Sequence, residues 1–186
     1  MKFTTSLLAA ATAALAAAAP TASNSSNVFS IVSVRSASPI HYYRLSVYDG
    51  GLAIGPKQNS SCTVEGTNYA SFFKSDDGGL YLYTDFPTKQ AYVDLSEEGA
   101  GRLRFSTGVQ PIDPKYKRGP FEFIQGKLFF RDGDRDIGFQ ACPLHDGEGY
   151  SVLLQPFEEL AGPSCLSFSA FVSEENPPIK CLYNDA

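Results

Sequence analysis

Short runs of β-branched and aromatic residues recur along most of this chain and constrain its fold more than any other feature. Eleven runs lie at 28–34, 42–47, 71–73, 80–83, 91–93, 102–105, 121–124, 127–130, 138–141, 151–154 and 167–172. Beyond the amino-terminal region, no segment keeps an apolar period of 3.6 residues for three turns, and residues 156–160 are expected to form one helical turn at most. The pattern predicts an all-β fold of about 11 short strands.

Turn residues separate these runs. Asp49-Gly50, Asp77-Gly78 and Asp132-Gly133 lie between strand-like segments. Because glycine adopts positive φ freely and aspartate tolerates it, we expect tight turns at these points. Within the run at 80–83, leucine alternates with tyrosine, which indicates a strand with one face buried and the other partly exposed.

A weak internal similarity bears on the architecture. An aromatic strand followed by a Gly-x-Leu-type strand recurs at 45–54, 72–82 and 121–130, with uneven spacing between the three units. Three units of this kind favour a β-trefoil-like fold or a barrel. A two-sheet β-sandwich is the alternative that the same strands allow.

The amino terminus has the pattern of a secretory signal peptide. Lys2 is followed by an apolar, Ala-rich stretch over residues 7–19 that is too short to span a bilayer comfortably. We therefore predict a signal peptide at 1–19, a short flexible segment at 20–27 and a single all-β domain at 28–186. No later stretch of 18 or more apolar residues follows, so we expect a secreted chain with no membrane anchor.

The four cysteines, Cys62, Cys142, Cys165 and Cys181, all follow the predicted signal peptide. An even number of cysteines in an exported chain indicates two disulfides, for which three pairings are possible. Proximity in the sequence favours Cys165 with Cys181, which leaves Cys62 to pair with Cys142.

The sequence has two N-glycosylation sequons, at Asn24 and Asn59. Because an exported chain passes through the secretory pathway, where such sequons are glycosylated, we expect both at the surface. The formal net charge is −5, and removal of Lys2 with the signal peptide makes the chain more acidic still. The sequence has no dense cluster of Lys and Arg that could contact successive phosphates of a nucleic acid, so we predict no nucleic-acid partner.

Three patterns bear on possible chemical sites. The segment 132–136 places three aspartates at alternate positions, but Ile137 and Pro143 stand where a calcium loop needs Gly and Glu, so a charged hairpin turn is predicted. His145 and Asp146 are adjacent, and adjacent side chains on an extended chain point apart, so a surface turn is predicted there. No Gly-x-Ser-x-Gly elbow is present.

Acidic and aromatic side chains leave two further hypotheses open. A glycosidase-type pair of carboxylates could come from Asp94, Glu122 and Glu158, although sequence alone does not distinguish them from ordinary surface acids. A sugar-stacking surface could draw on Tyr42, Tyr43, Tyr81, Tyr83 and Tyr92, although tyrosines on half-buried strands commonly belong to the core. We predict no catalytic residues, no metal site and no cofactor.

One series of segments is distinctive. It runs from Gly-Leu-Tyr-Leu-Tyr at 79–83 through Val-Asp at 93–94, Gly-Ala-Gly at 99–101 and Ser-Thr-Gly-Val-Gln-Pro at 106–111 to Gln-Ala-Cys-Pro at 140–143. This order resembles the PhiA family of fungal cell-wall proteins, over most of the chain that follows the signal peptide.

The resemblance implies a secreted, glycosylated, non-enzymatic protein of the hyphal or conidial wall, with a role in phialide and conidium formation and in stress protection. Its implied partners are wall polysaccharides or wall proteins. The alternative function is a secreted carbohydrate- or protein-binding module, and a hydrolase with an unrecognised site is a third.

Overall fold

The computed structural model describes residues 27–107, 110–145, 147–155 and 164–184. Several predicted features lie outside these residues: the signal peptide at 1–19, the sequon at Asn24, Asp146, Glu158 and the helical turn considered at 156–160. No helix among the described residues has the length and apolarity needed to cross a membrane.

The described part of the chain forms sixteen strands and no α-helix. In chain order the strands are β1 (Val28–Val34), β2 (Ser46–Tyr48), β3 (Gly51–Ile54), β4 (Ser60–Cys62), β5 (Ser71–Lys74), β6 (Leu80–Leu82), β7 (Lys89–Asp94), β8 (Arg102–Thr107), β9 (Tyr116–Lys117), β10 (Phe121–Ile124), β11 (Lys127–Asp132), β12 (Arg135–Ile137), β13 (Phe139–Pro143), β14 (Tyr150–Leu154), β15 (Leu166–Glu174) and β16 (Cys181–Tyr183). The all-β prediction is confirmed, and all eleven predicted runs overlap a strand.

Two features of the strand prediction need correction. Five strands, β3, β4, β9, β12 and β16, lie outside the eleven predicted runs, although β3 corresponds to the Gly-x-Leu-type strand predicted within 45–54; all five are short, and β4 and β12 are mainly polar or charged. The predicted strand at 42–47 is wrong in its first half, because β2 begins only at Ser46. Tyr42 has φ of 63°, in the left-handed region, so the extended backbone is interrupted there.

The strands close into a ring. Nine strands are hydrogen-bonded in the order β1-β5-β6-β7-β8-β3-β14-β13-β15, and β15 returns to β1 in an antiparallel pairing that includes Ile31 opposite Val172. The predicted barrel is therefore confirmed, and the sheet does not split into the two layers of the alternative sandwich.

The ring and the strands attached to it have a threefold organisation. Strands β1, β2, β3 and β5 form one unit, β6, β7, β8 and β10 a second, and β11, β13, β14 and β15 a third. In each unit the two middle strands form an antiparallel pair: β2 with β3, β7 with β8, and β13 with β14. These three pairs contact one another through β3–β8, β3–β14 and β8–β14. This is a β-trefoil-like arrangement.

The repeats do not coincide with the units proposed from the sequence. The segments 72–82 and 121–130 are equivalent, since each contains the last strand of one unit and the first strand of the next. The segment 45–54 instead contains the middle pair of the first unit, β2 and β3. The number of units was predicted correctly, but one of the three segments belongs to a different part of the repeat.

Aromatic and aliphatic side chains from all three units fill the barrel. The largest fully buried aromatic side chains are Phe72, Phe121, Phe130 and Phe139. The rings of Phe121 and Phe130, from the neighbouring strands β10 and β11, meet edge to face with centroids 5.4 Å apart. Fully burying a side chain of this size contributes about 1.5–3 kcal/mol, so a core without tryptophan can still support the domain.

Two disulfides are present, as predicted, but the favoured pairing is wrong. Cys62 is bonded to Cys181, and Cys142 to Cys165. The carboxy-terminal strand β16 pairs with β4, which places Cys181 directly opposite Cys62. Strands β13 and β15 are antiparallel neighbours, with Ala141 opposite Leu166. Cys142, which follows Ala141, therefore lies next to Cys165, which precedes Leu166. Strand pairing, and not sequence proximity, decides the connectivity.

Candidate functional site at the mouth of the barrel

A cavity opens where four segments meet at one end of the barrel. It has a volume of about 700 Å³ and is lined by the start of β1, the turn after β5, the β10–β11 hairpin and the end of β15. We call it the barrel-mouth cavity. Its lining residues are Asn27, Val28, Phe29, Lys74, Ser75, Asp76, Phe123, Gly126, Val172, Glu174, Glu175 and Asn176. Ligand sites in β-barrels commonly occupy such mouths, at volumes of about 300–1,000 Å³.

Phe123 is the exposed aromatic group of this cavity. Its side chain is 41 % exposed, although it lies on β10 two residues after the fully buried Phe121. The ring packs against that of the buried Phe29 at a centroid distance of 5.0 Å and an interplanar angle of 86°. Such edge-to-face packing fixes the orientation of a ring. The strand therefore presents a firmly held aromatic surface to solvent.

Lys74 and the acidic residues set the charge of the cavity. The Lys74 ammonium lies 5.6 Å from the centre of the Phe123 ring, within cation–π range. Asp76 and Glu174 are exposed, whereas Glu175 is buried. Three acidic side chains against one lysine make the lining formally negative.

Glu175 ties the cavity to the carboxy-terminal segment. Its Oε2 accepts a hydrogen bond of 2.8 Å from the Ser71 hydroxyl and one of 3.2 Å from the backbone N–H of Ile179. The backbone N–H of Ser71 in turn donates to the hydroxyl of Tyr183 at 3.0 Å. Burial is the main cause that raises the pKa of Tyr183 above its ordinary value. These contacts hold one side of the cavity in place.

The candidate acids of a hydrolase are not assembled into a reactive pair by any contact in the described structure. Asp94 Oδ1 accepts hydrogen bonds from the backbone N–H of Ser96 at 3.0 Å and from its hydroxyl at 2.6 Å, so this carboxylate holds the turn after β7. Glu122 is half-buried on β10, opposite Phe129 of β11.

The aspartates at 132–136 lie in the β11–β12 hairpin, as predicted: Asp132 ends β11, Asp134 is in the turn and Asp136 is on β12. The Asp132 carboxylate pairs with Lys117 at 2.8 Å and Arg135 at 3.2 Å, and Asp136 pairs with Arg131 at 2.8 Å. The hydrogen bond and charge of Lys117 hold the pKa of Asp132 below its usual value. Among the residues that the structure describes, no group of three metal-ligating side chains is found. His145 is exposed.

None of the five tyrosines of the predicted sugar-stacking surface lines the barrel-mouth cavity. Tyr81 stacks on Phe73 with centroids 5.0 Å apart, Tyr92 packs against Tyr116 at the same distance, and the Lys180 ammonium lies 5.6 Å from the Tyr83 ring. Tyr42 and Tyr43 are exposed in the turn before β2, at 71 % and 50 %. The sequence predicts Phe123, the exposed aromatic residue that lines the cavity, to lie on a strand but does not predict it as part of a binding site.

The sequon at Asn59 lies at the surface. Asn59 is exposed and directly precedes β4, the strand that carries Cys62. Its Oδ1 accepts a hydrogen bond of 3.2 Å from Asn184 Nδ2.

Comparison with known proteins places the chain in a family. The sequence profile described as PhiA-like secreted protein matches residues 29–184. A protein named Cell wall protein phiA from Emericella nidulans is 31% identical over 188 residues, which cover 99% of this chain and 100% of the relative. A protein of the same name from Aspergillus niger is 32% identical over 83% of this chain and 84% of the relative. Another from Aspergillus fumigatus is 30% identical over 98% of this chain and 99% of the relative. No solved structure gives a significant match. The chain belongs to the PhiA-like secreted protein family.

Proposed function

We propose that this chain is a non-enzymatic component of the fungal cell wall that acts in asexual development, in the formation of phialides and conidia, and in protection against stress. The observation that carries the proposal is the match to relatives named Cell wall protein phiA along almost their full length. Two disulfides and a closed barrel give the chain the robustness that an extracellular location demands.

The non-enzymatic part of the proposal draws on the side chains that could have been catalytic. All four cysteines are in disulfides, so none is available as a thiolate nucleophile. The carboxylate of Asp94, one of the candidate acids, is engaged in structural contacts. A general acid or base has to reach its substrate, and carboxylates held in this way are poorly placed to do so.

A deletion strain tests the developmental role. We expect fewer phialides and conidia in the strain without the gene, restored by the wild-type chain and not by a chain without residues 1–19. Hyphal extension on the same medium serves as the control for general growth. Normal conidium numbers in the deletion strain, with and without wall stress, would contradict the proposed role.

Assays on the purified protein test the absence of catalysis. We expect no turnover of glycoside or ester substrates above that of the boiled protein. Turnover that disappears in Asp94→Asn or Glu122→Gln would overturn the proposal, because loss on removal of one carboxylate identifies an enzyme and not a contaminant.

The barrel-mouth cavity favours a second function, a secreted binding module. An exposed aromatic ring and several polar groups around one opening are typical of small-ligand sites. Binding and wall residence are compatible, since a wall protein must be retained by some component of the wall. Pull-down of the secreted protein on insoluble wall polysaccharides tests this function, and recovery entirely in the unbound fraction would contradict it.

A further inference from the structure

We propose that the barrel-mouth cavity binds a pyranose unit of a non-anionic polysaccharide, with the Phe123 ring as the surface on which the sugar stacks. The inference rests on the proposed binding function at the wall and adds the site and the ligand class. Three observations carry it: the cavity, the held aromatic ring and the charge of the lining.

The first observation is the cavity itself. Its volume of about 700 Å³ falls within the range of small-ligand sites, and its lining combines apolar and polar side chains. The buried Phe29 and the hydrogen-bonded Glu175 hold two of its sides. A preformed site loses little conformational entropy on binding, which favours recognition of a weakly interacting ligand such as a sugar.

Phe123 supplies the apolar contact that a pyranose needs. One face of a pyranose ring presents C–H groups, and the electron-rich face of an aromatic ring attracts partial positive charge. Phe123 is 41 % exposed and is oriented by Phe29, so the ring is held in place, and a sugar stacked on the face covered by Lys74 takes the position of its ammonium. Polar side chains on the rim, among them Asn27 and Asn176, offer donors and acceptors to hydroxyl groups.

The charge of the lining selects among polysaccharides. Asp76, Glu174 and Glu175 outnumber Lys74, so an anionic sugar such as a uronic acid is repelled. A sugar that carries an ammonium group is attracted by the same carboxylates. We therefore expect basic oligosaccharides to bind most tightly, neutral ones less tightly and anionic ones least.

Titration calorimetry of the secreted, disulfide-bonded protein tests the inference. The probes are hexamers of glucosamine, of β-1,3-linked glucose and of galacturonic acid. We expect Phe123→Ala to weaken binding of the first two by about tenfold or more. Phe86→Ala and Tyr42→Ala are matched controls, since these rings are 90 % and 71 % exposed and do not line the cavity. We expect both controls to bind as the wild type does.

A second pair of variants tests the roles of ring and charge separately. Phe123→Leu keeps an apolar side chain against Phe29 but lacks the ring face, so a folded Leu variant that binds weakly supports stacking even if the Ala variant unfolds. The double variant Asp76→Asn, Glu174→Gln is expected to bring the affinity for the glucosamine hexamer down to that for the glucose hexamer. The salt dependence of glucosamine binding should fall in parallel.

Three results would overturn the inference: no binding of any hexamer at millimolar concentration, wild-type affinity in the folded Phe123→Leu variant, or tightest binding of the galacturonic acid hexamer. Wall fractionation separates this failure from that of the proposed function. Protein that is recovered in the wall but binds no hexamer refutes the sugar site alone, whereas protein absent from wall and medium refutes the proposed function.

Discussion

Removing the two disulfides one at a time should destabilise the protein unequally. The perturbations are the double variants Cys62→Ala, Cys181→Ala and Cys142→Ala, Cys165→Ala. The first disulfide joins residues 119 apart in sequence and the second residues 23 apart. A crosslink restricts the unfolded chain more when it closes a longer loop, so the first should contribute more to the free energy of unfolding.

The loop lengths give the magnitudes. In the chain-entropy relation, a loop of 119 residues corresponds to about 4.9 kcal/mol and a loop of 23 residues to about 3.4 kcal/mol. The expected difference is therefore about 1.5 kcal/mol. Burial acts in the same direction, because Cys181 is 1 % exposed and its replacement by Ala also leaves a small cavity, whereas Cys142 and Cys165 are half-buried.

Equilibrium unfolding in urea under non-reducing conditions measures both losses against the wild type. The slope with urea concentration should rise in both variants, because an uncrosslinked unfolded chain exposes more surface. Equal losses, or a larger loss for the Cys142–Cys165 pair, would refute the reasoning. Non-reducing digestion of the wild type should yield a peptide that joins Cys62 to Cys181, and a peptide that joins Cys62 to Cys142 would refute the connectivity itself.

Three further predictions concern single residues. The pKa of Tyr183 is raised in the folded state above its ordinary 10.0, so the stability linked to the neutral phenol is present below pH 10 and is lost as the pH rises above it. Tyr183→Phe should remove this loss of stability at alkaline pH, and it should cost about 1 kcal/mol at pH 7 because the hydrogen bond from Ser71 is lost. Urea unfolding from pH 7 to 11 measures both effects. Leu103→Ala should lower the free energy of unfolding by about 3–5 kcal/mol because Leu103 is fully buried. Leu182 is 53 % exposed, so Leu182→Ala should change the free energy of unfolding by less than about 0.5 kcal/mol. Similar losses in the two variants would contradict the assigned core. Asn59→Gln should reduce the mass of the secreted protein by one N-linked glycan, and an unchanged mass would show that this sequon is unused.

Local patterns in the sequence were sufficient for the fold class. Alternation and turn residues predicted strands such as β1 and β10 with the bounds that the structure shows. Strand β4 was missed because Ser60 and Ser61 carry no apolar signal; its pairing depends on β16, which is joined to it by the disulfide. The threefold arrangement could be predicted only in part from the sequence, because pairings such as β1 with β15 join segments that are far apart in the chain.

The candidate site was not predictable for the same reason. Its lining comes from four segments, near residues 28, 75, 124 and 174, that only the closed barrel brings together. Alternation places Phe123 on the same side of β10 as Phe121, which predicts a core position for both. Phe123 nevertheless lies at the cavity mouth and is exposed, and no local pattern distinguishes the two residues.

Export to an oxidising compartment is the claim on which the disulfides, the glycan and the wall function all depend. Intact-mass analysis of the protein extracted from hyphal walls, with free thiols alkylated during extraction, tests it directly. We expect a chain that has lost residues 1–19, or a few more or fewer, that carries no alkyl groups and that is heavier than its sequence by the mass of a glycan. A chain that retains Met1 and carries alkyl groups on all four cysteines would contradict it.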